Sequence, residues 1–274
     1  MSGPDALYVY ALLPDPGPAP APLGAGIEDS PLHFCRDEAG GLAALVHHAE
    51  AQPYEGADDA VRRWIAAHDR AVEAAWRAAG SVLPMTFNVL VPAGVGGDGE
   101  DQSAEERLRS WLVSHREDLT SRLSALHGLA EYRVEITLDN TEALAEDGRA
   151  RELAAQMESS PPGLRRLLGK RLEGLRRESA ESFADRLYAA TRRRLTAVAE
   201  DLLERRRSVR NAEETDVLTV ALLVRESEVD SLGLVLAELD EEYPALRVRF
   251  LGPWPPYSFT EVQPGAERAA ENAS

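Results

Sequence analysis

Arg247-Val248-Arg249-Phe250-Leu251-Gly252-Pro253-Trp254-Pro255-Pro256-Tyr257-Ser258-Phe259 runs a strand pattern straight into a rigid aromatic corner. Val248 with Phe250 or Leu251 can turn inward while Arg247 and Arg249 face water, a period of two. Gly252 permits a tight turn. Pro253, Pro255 and Pro256 fix φ and remove three backbone donors, so the strand cannot continue as a central ladder. Trp254, Tyr257 and Phe259 give this stiff corner large apolar surfaces, and no catalytic group lies in it. The flanking Gly and Pro residues account for a fixed corner without a partner. The reading therefore places Trp254 inside, with a partner-facing ring as the alternative.

Working back from this corner, residues 228–242 read as a helix. Val217 to Val224 is apolar at nearly every position and reads as a central strand covered on both faces. Two helical stretches, about 141–158 and 162–209, are separated by Ser159-Ser160-Pro161-Pro162-Gly163, where a reversal would give a helical hairpin. Tyr132, Val134, Ile136 and Leu138 alternate along a strand at 131–138. Upstream, Leu108, Trp111, Leu112, Leu119, Leu123 and Leu126 make the packing stripe of one helix from about 103 to 126, with capping-box spacing between Ser103 and Glu106.

In the first third, residues 7–13 read as a strand with Leu7, Val9, Ala11 and Leu13 on one apolar face. Extended segments near 32–36 and 41–47 flank Gly40-Gly41, a hairpin turn. Val61, Trp64, Ile65, His68, Val72, Ala75, Trp76 and Ala79 recur at three- and four-residue intervals, a helix ended by Gly80. Val82 to Val91 follows as a strand interrupted by Pro84, which predicts an edge or a bulge. The expected fold class is α+β: two ferredoxin-like or modified ferredoxin-like sheet domains with an inserted helical hairpin. Residues 1–93 form the first domain, and 94–130 a glycine-rich linker with a connecting helix. Residues 131–262 form the second domain with its insertion at about 141–209, followed by a tail at 263–274.

A chain of 274 residues with 44% apolar content can bury a substantial core. Its net charge of −17 disfavours nucleic acid as a partner. No apolar run reaches the roughly 18 residues a membrane span needs, and the first residues lack a secretory leader pattern. The lone Cys35 excludes an internal disulfide framework and fits a reducing cytoplasm. Charge is uneven: residues 165–210 hold 14 Arg or Lys against 7 Asp or Glu, a local +7 that leaves −24 on the rest. This asymmetry is a sign that one segment meets an acidic surface, within the protein or on a partner. Arg192, Arg193, Arg194, Arg205, Arg206 and Arg207 are the candidate protein interface, and a solvated helical face is the bland alternative.

Chemistry is harder to find. His47 and His48 are adjacent on a strand and point to opposite faces, a poor metal pair. His68, Asp69 and Cys35 add ligand types but no metal-site spacing, so no metal and no cofactor are expected. Gly94-Val95-Gly96-Gly97-Asp98-Gly99 has no following Lys and is flanked by acid, so it is a linker rather than a phosphate loop. No nucleophile elbow or separable carboxylate pair is present.

The run Leu-Gly-Pro-Trp-Pro-Pro-Tyr-Ser-Phe at 251–259 resembles the C-terminal signature of the gas vesicle protein GvpL/GvpF family. Leu7-Tyr8-Val9-Tyr10-Ala11-Leu12 looks like that family's first strand, and Trp64 to His68 with Val82-Leu83-Pro84-Met85-Thr86-Phe87 like its helix-to-strand passage. Where members often read Leu-Pro-x-Arg-Phe-Gly, Thr86 replaces the Arg and Asn88 the Gly. The resemblance, over roughly 7–262, implies a gas vesicle accessory or minor structural protein without enzymatic activity or cofactor. It implies as partners the hydrophobic main shell protein and other vesicle accessory proteins, in the cytoplasm and at the vesicle. The alternatives are a cytoplasmic interaction module unrelated to vesicles, and a small-molecule enzyme whose site is assembled from distant residues.

Overall fold

The computed structural model describes residues 5–17, 23–37, 40–95, 101–140, 148–205 and 213–260. The chain divides into two compact units, one built from residues up to Ala130 together with those from Trp254 onward, the other from Glu131–Pro253. Both differ from the expected boundaries. The segment 94–130 is part of the first unit because Leu108, Leu112, Leu119 and Leu123 are buried. The aromatic corner leaves the second unit at Pro253.

In the first unit, β1 (Ala6–Pro14) pairs with β3 (Leu42–Ala49), which pairs in turn with β2 (His33–Arg36). β4 (Leu83–Pro84) and β5 (Leu90–Pro92) both pair with the other side of β1, so the order is β2-β3-β1-β4 with β5 beside β1. These pairings are all antiparallel. The β2–β3 turn uses Gly40 and Gly41 at φ 68° and 130°, a region that only glycine enters freely. Pro84 does interrupt its strand: residues 85–89 lie between β4 and β5.

The expected one-sided face of β1 is corrected. The register slips between Val9 and Ala11, and a bulge shifts every later side chain to the other face. Tyr8, Tyr10, Ala11 and Leu13 therefore share one core with Ala67, Ala71, Val72 and Ala75 of α1 (Asp58–Ala79), while Leu7, Val9 and Leu12 are also fully buried. Gly80 closes α1 in a left-handed conformation, its N–H donating to the Trp76 carbonyl. The stretch 94–103 is more than a linker at its ends, where β6 (Gly94–Val95) pairs with β7 (Asp101–Gln102). The expected single helix after it is two, α2 (Ala104–Ser114) and α3 (Arg116–Ala125), broken at His115. The Ser103–Glu106 capping box is fully formed.

Two buried tyrosines organise this core. The His68 Nε2–H donates to the Met85 carbonyl at 3.0 Å, so Nδ1 accepts from the Tyr8 hydroxyl at 3.0 Å. Tyr8 Oη also accepts the Asn88 N–H at 3.1 Å. Tyr10 repeats the pattern: its hydroxyl lies 2.9 Å from His47 Nδ1 and accepts the Ile27 N–H at 2.8 Å, while His47 Nε2 lies 3.0 Å from the Tyr54 hydroxyl. Asn88 sits at φ 73°, a conformation Asn tolerates and Gly adopts freely, and its side chain bonds both the N–H and the C=O of Tyr54. Burial pushes both tyrosine hydroxyls up, pushes His68 down and pushes His47 down to about 4.

The second unit orders its sheet β11-β8-β10-β9, from β8 (Leu129–Asp139), β9 (Asp201–Glu204), β10 (Glu214–Arg225) and β11 (Leu246–Trp254). β10 is buried at every position from Val217 to Val224, Thr219 included, as its apolar run requires. β11 is an edge strand, as its prolines demand. α4 (Gly148–Glu158) packs Ala150, Leu153 and Ala154 on Leu172 and Leu175 of α5 (Pro162–Thr196). α6 (Val229–Glu242) precedes β11. The helix expected to reach 209 stops at Thr196, because residues 201–204 pair with β10 through Leu202↔Leu222 and its neighbours. Sheet pairing overrides helix propensity there. In each sheet the first and third strands are central, the second lies at one edge and the last beside the first.

Two substitutions test the packing with opposite signs. A Cβ on Gly26 would clash with Tyr10 Oη, so Gly26→Ala should cost about 1–3 kcal/mol. Gly174, exposed within α5 and with open space around it, should gain roughly 0.5–1 kcal/mol as Ala. Urea unfolding measures both, and equal effects would contradict the assignment. A pH series tests the buried His68. Its folded-state value is lowered from 6.5, so its contribution is complete above that value and is lost as pH falls below it. His68→Gln should therefore flatten the loss of stability between about pH 7 and pH 5; an unchanged slope would mean that His68 is not held neutral.

Candidate protein-interaction site

The arginine face begins on the last turns of α5. Ala180, Ala184, Leu187, Thr191 and Leu195 are buried, which turns the residues between them outward. Arg192 Nε lies 3.0 Å from Glu204 Oε1, and the Tyr188 hydroxyl donates to the same oxygen at 2.6 Å. Those two hydrogen bonds, Tyr188 first, hold the Glu204 carboxyl below the usual carboxylate range. Arg194 Nη2 meets Glu242 Oε2 at 2.7 Å, at the end of α6. Glu242 is likewise lowered, by Tyr243 and then by Arg194.

The positive segment thus meets an acid of its own unit beyond itself through Arg194, while Arg192 pairs within the segment. Arg193, between them, is exposed and makes no ion pair among the described residues. Arg205 is exposed too, with its backbone N–H donating to the Thr219 carbonyl. Arg206 and Arg207 lie outside the described residues. The structure therefore brings Arg192 and Arg194 into internal pairs and leaves Arg193 and Arg205 facing outward. Sequence reasoning could not separate them, because consecutive helical residues point about 100° apart and only the positions of Glu204 and Glu242 decide which find partners.

The aromatic corner is also rearranged. Gly252 adopts φ 127°, and a Cβ there would come within 2.9 Å of the Glu131 carbonyl and 2.8 Å of the Tyr132 ring. Phe250 stacks on Tyr132, ring centroids 5.1 Å apart, yet remains exposed. Trp254 is 38% exposed, which corrects its expected internal position. An edge strand with solvent beyond it gives no second layer to cover that ring. The anchors are its neighbours: Pro255 and Pro256 are buried, and Tyr257 packs on the core around Tyr8 and Tyr10. The Tyr257 hydroxyl donates to Asp69 Oδ1 at 3.2 Å, and burial with that carboxylate pushes the phenol up. Phe259 is half-buried in a short turn, its N–H donating to the Pro256 carbonyl.

One cluster was not singled out from the sequence. His33, His48 and Glu105 converge from β2, β3 and the first turn of α2, although 15 and 57 residues separate them in the chain. Only the β2–β3 register, with His33 opposite Val46, reveals that His33 and His48 share a face. His33 is pushed down by burial and by His48, against the opposing pull of Glu105.

Residues 6–261 match the family described as gas vesicle synthesis protein GvpL/GvpF. Gas vesicle protein L1 of Halobacterium salinarum is 32% identical over 268 residues, covering 92% of this chain and 89% of that protein. Gas vesicle protein L of Haloferax mediterranei is 27% identical, covering 85% and 72%. The crystal structure of gas vesicle protein GvpF from Microcystis aeruginosa superposes with a TM-score of 0.62 at 18% identity, over 94% of this chain and all of that one. GvpF from Anabaena sp. PCC7120 gives 0.65 at 18% identity, over 94% and 99%. These two show a shared mixed α/β fold.

Exposure predicts the outcome of truncating the corner. Trp254→Ala should lower the unfolding free energy by less than about 1 kcal/mol, and Tyr257→Ala by about 2–3 kcal/mol. Denaturant unfolding ranks them, and the reverse order would return Trp254 to the interior.

Proposed function

The chain belongs to the gas vesicle protein GvpL/GvpF family, and from that premise we propose that it acts in gas vesicle assembly by binding the hydrophobic main shell protein and other vesicle proteins. The observation that carries this reading is the match of residues 6–261, nearly the whole chain, to the family. Full-length similarity to the L relatives, against 64 matched residues in gas vesicle protein F2 of Halobacterium salinarum, favours an L-like role.

The distribution of polar groups supports work done through surfaces rather than through chemistry. Tyr8, Tyr10, His47 and His68, the groups best suited to proton transfer, are buried and hydrogen-bonded to one another or to backbone. Outward-facing features include Arg193, Arg205 and the exposed aromatics Tyr188, Phe250 and Trp254. An exposed aromatic edge suits contact with an apolar shell subunit, and exposed arginines suit acidic accessory partners. Among the described residues no helix is long and apolar enough to cross a membrane. We place the chain in the cytoplasm, at the growing vesicle. The shared strand order favours reading both sheets as ferredoxin-related, with α4 and α5 as a hairpin inserted in the first crossover of the second.

Pull-down of the tagged chain against the complete set of vesicle proteins tests the reading. The shell protein and at least one accessory protein should be retained. Arg193→Glu, which breaks no described ion pair, should weaken the accessory contact several-fold at low salt while leaving the melting transition in place. Retention of no vesicle protein would overturn the assembly reading, and full retention by the variant would reject the arginine face alone.

A further inference from the structure

The convergence of His33, His48 and Glu105 has the composition and spacing of a metal site. In the β2–β3 pair, His33 faces Val46, and His48 lies two residues further along β3, on the same side. The two imidazoles stack with centroids 4.7 Å apart and an interplanar angle of 23°. Glu105 is held by the first turn of α2, whose start is fixed by the capping box. One ligand atom from each of the three residues lies within 4.8 Å of the other two.

The His33 contact with the carboxylate is not an ordinary satisfied pair. His33 Nε2 lies 3.3 Å from Glu105 Oε1, yet it is buried and makes no hydrogen bond. A buried ring nitrogen aimed at a carboxylate without bonding it is an orphan that an ion between them would satisfy. Ligands bound tetrahedrally at about 2.0–2.1 Å stand roughly 3.3 Å apart, the separation His33 and Glu105 already have. His48 is exposed and can close the remaining distance by turning its side chain. Cys35 does not join the set, since its thiol points at the Glu105 carbonyl oxygen at 3.7 Å. Arg109 is the opposing charge: its Nη2 lies 3.8 Å from Glu105 Oε2, while its Nε donates to the Arg36 carbonyl. This leaves Oε1 as the oxygen directed at the histidines.

We propose that His33, His48 and Glu105 form a binding site for one divalent transition-metal ion of the zinc class, with two imidazole nitrogens, one carboxylate oxygen and a fourth position open to water or a partner's side chain. Two nitrogens and one oxygen suit Zn²⁺ rather than Mg²⁺ or Ca²⁺, which take oxygen ligands. A bound ion would tie the β2–β3 hairpin to the start of α2 and stabilise the first unit by mass action.

Equilibrium dialysis of the full chain against ZnCl₂, with Co²⁺ absorption as a readout of four-coordinate geometry, tests the site. The wild type should hold one ion per chain. His48→Ala and Glu105→Gln should each bind more weakly by about 10-fold or more, while His127→Ala, at an exposed histidine outside the cluster, should bind as wild type. Circular dichroism checks that each variant is folded, and the exposed His48 provides the variant least able to disturb the core. Absence of saturable binding by the wild type would overturn the proposal, as would folded His48→Ala and Glu105→Gln proteins that bind as tightly as wild type.

Discussion

The first unit depends on keeping two tyrosine hydroxyls paired inside its core. Tyr8 and Tyr10 are fully buried on β1, and an unpaired buried hydroxyl costs about 1–3 kcal/mol. Each hydroxyl takes one histidine nitrogen and one backbone N–H. The histidines come from α1 and β3, and the backbone donors from the loops at Ile27 and Asn88. One strand's polar atoms thereby set the positions of a helix, a neighbouring strand and two loops. The same requirement explains the crowding at Gly26 and the left-handed Asn88. The network spends its histidines on structure, which leaves recognition to the surfaces.

Elements whose sequence pattern is local were legible. The α1 stripe, the Gly80 terminator, the Ser103–Glu106 cap, the buried β10 and the edge position of β11 all follow from residues near one another in the chain. The failures share a different cause: each turns on a distant partner. The face of β1 depends on a bulge set by pairing with β3. The end of α5 depends on β9 finding β10. Trp254 lies outside because the strand before it is at the edge of its sheet, whereas Tyr257, three residues on, finds Asp69 of α1. The split among the arginines and the meeting of His33, His48 and Glu105 likewise require tertiary register.

The charge asymmetry now has a partial physical account. The segment with a local excess of +7 meets an acid from outside itself where Arg194 pairs with Glu242, while Arg192 pairs with Glu204 of the same segment. Exposed pairs of this kind add little to stability and are screened by salt, but they fix which cations remain outward. Arg193 and Arg205 are among the exposed cations of the described part of the segment.

Loss of the chain from a vesicle-forming cell tests its assignment to assembly most directly. Electron microscopy of cells lacking it should show vesicles absent or misshapen, with normal vesicles restored when this chain is supplied in trans. Vesicles of normal number and shape in its absence would contradict an assembly role.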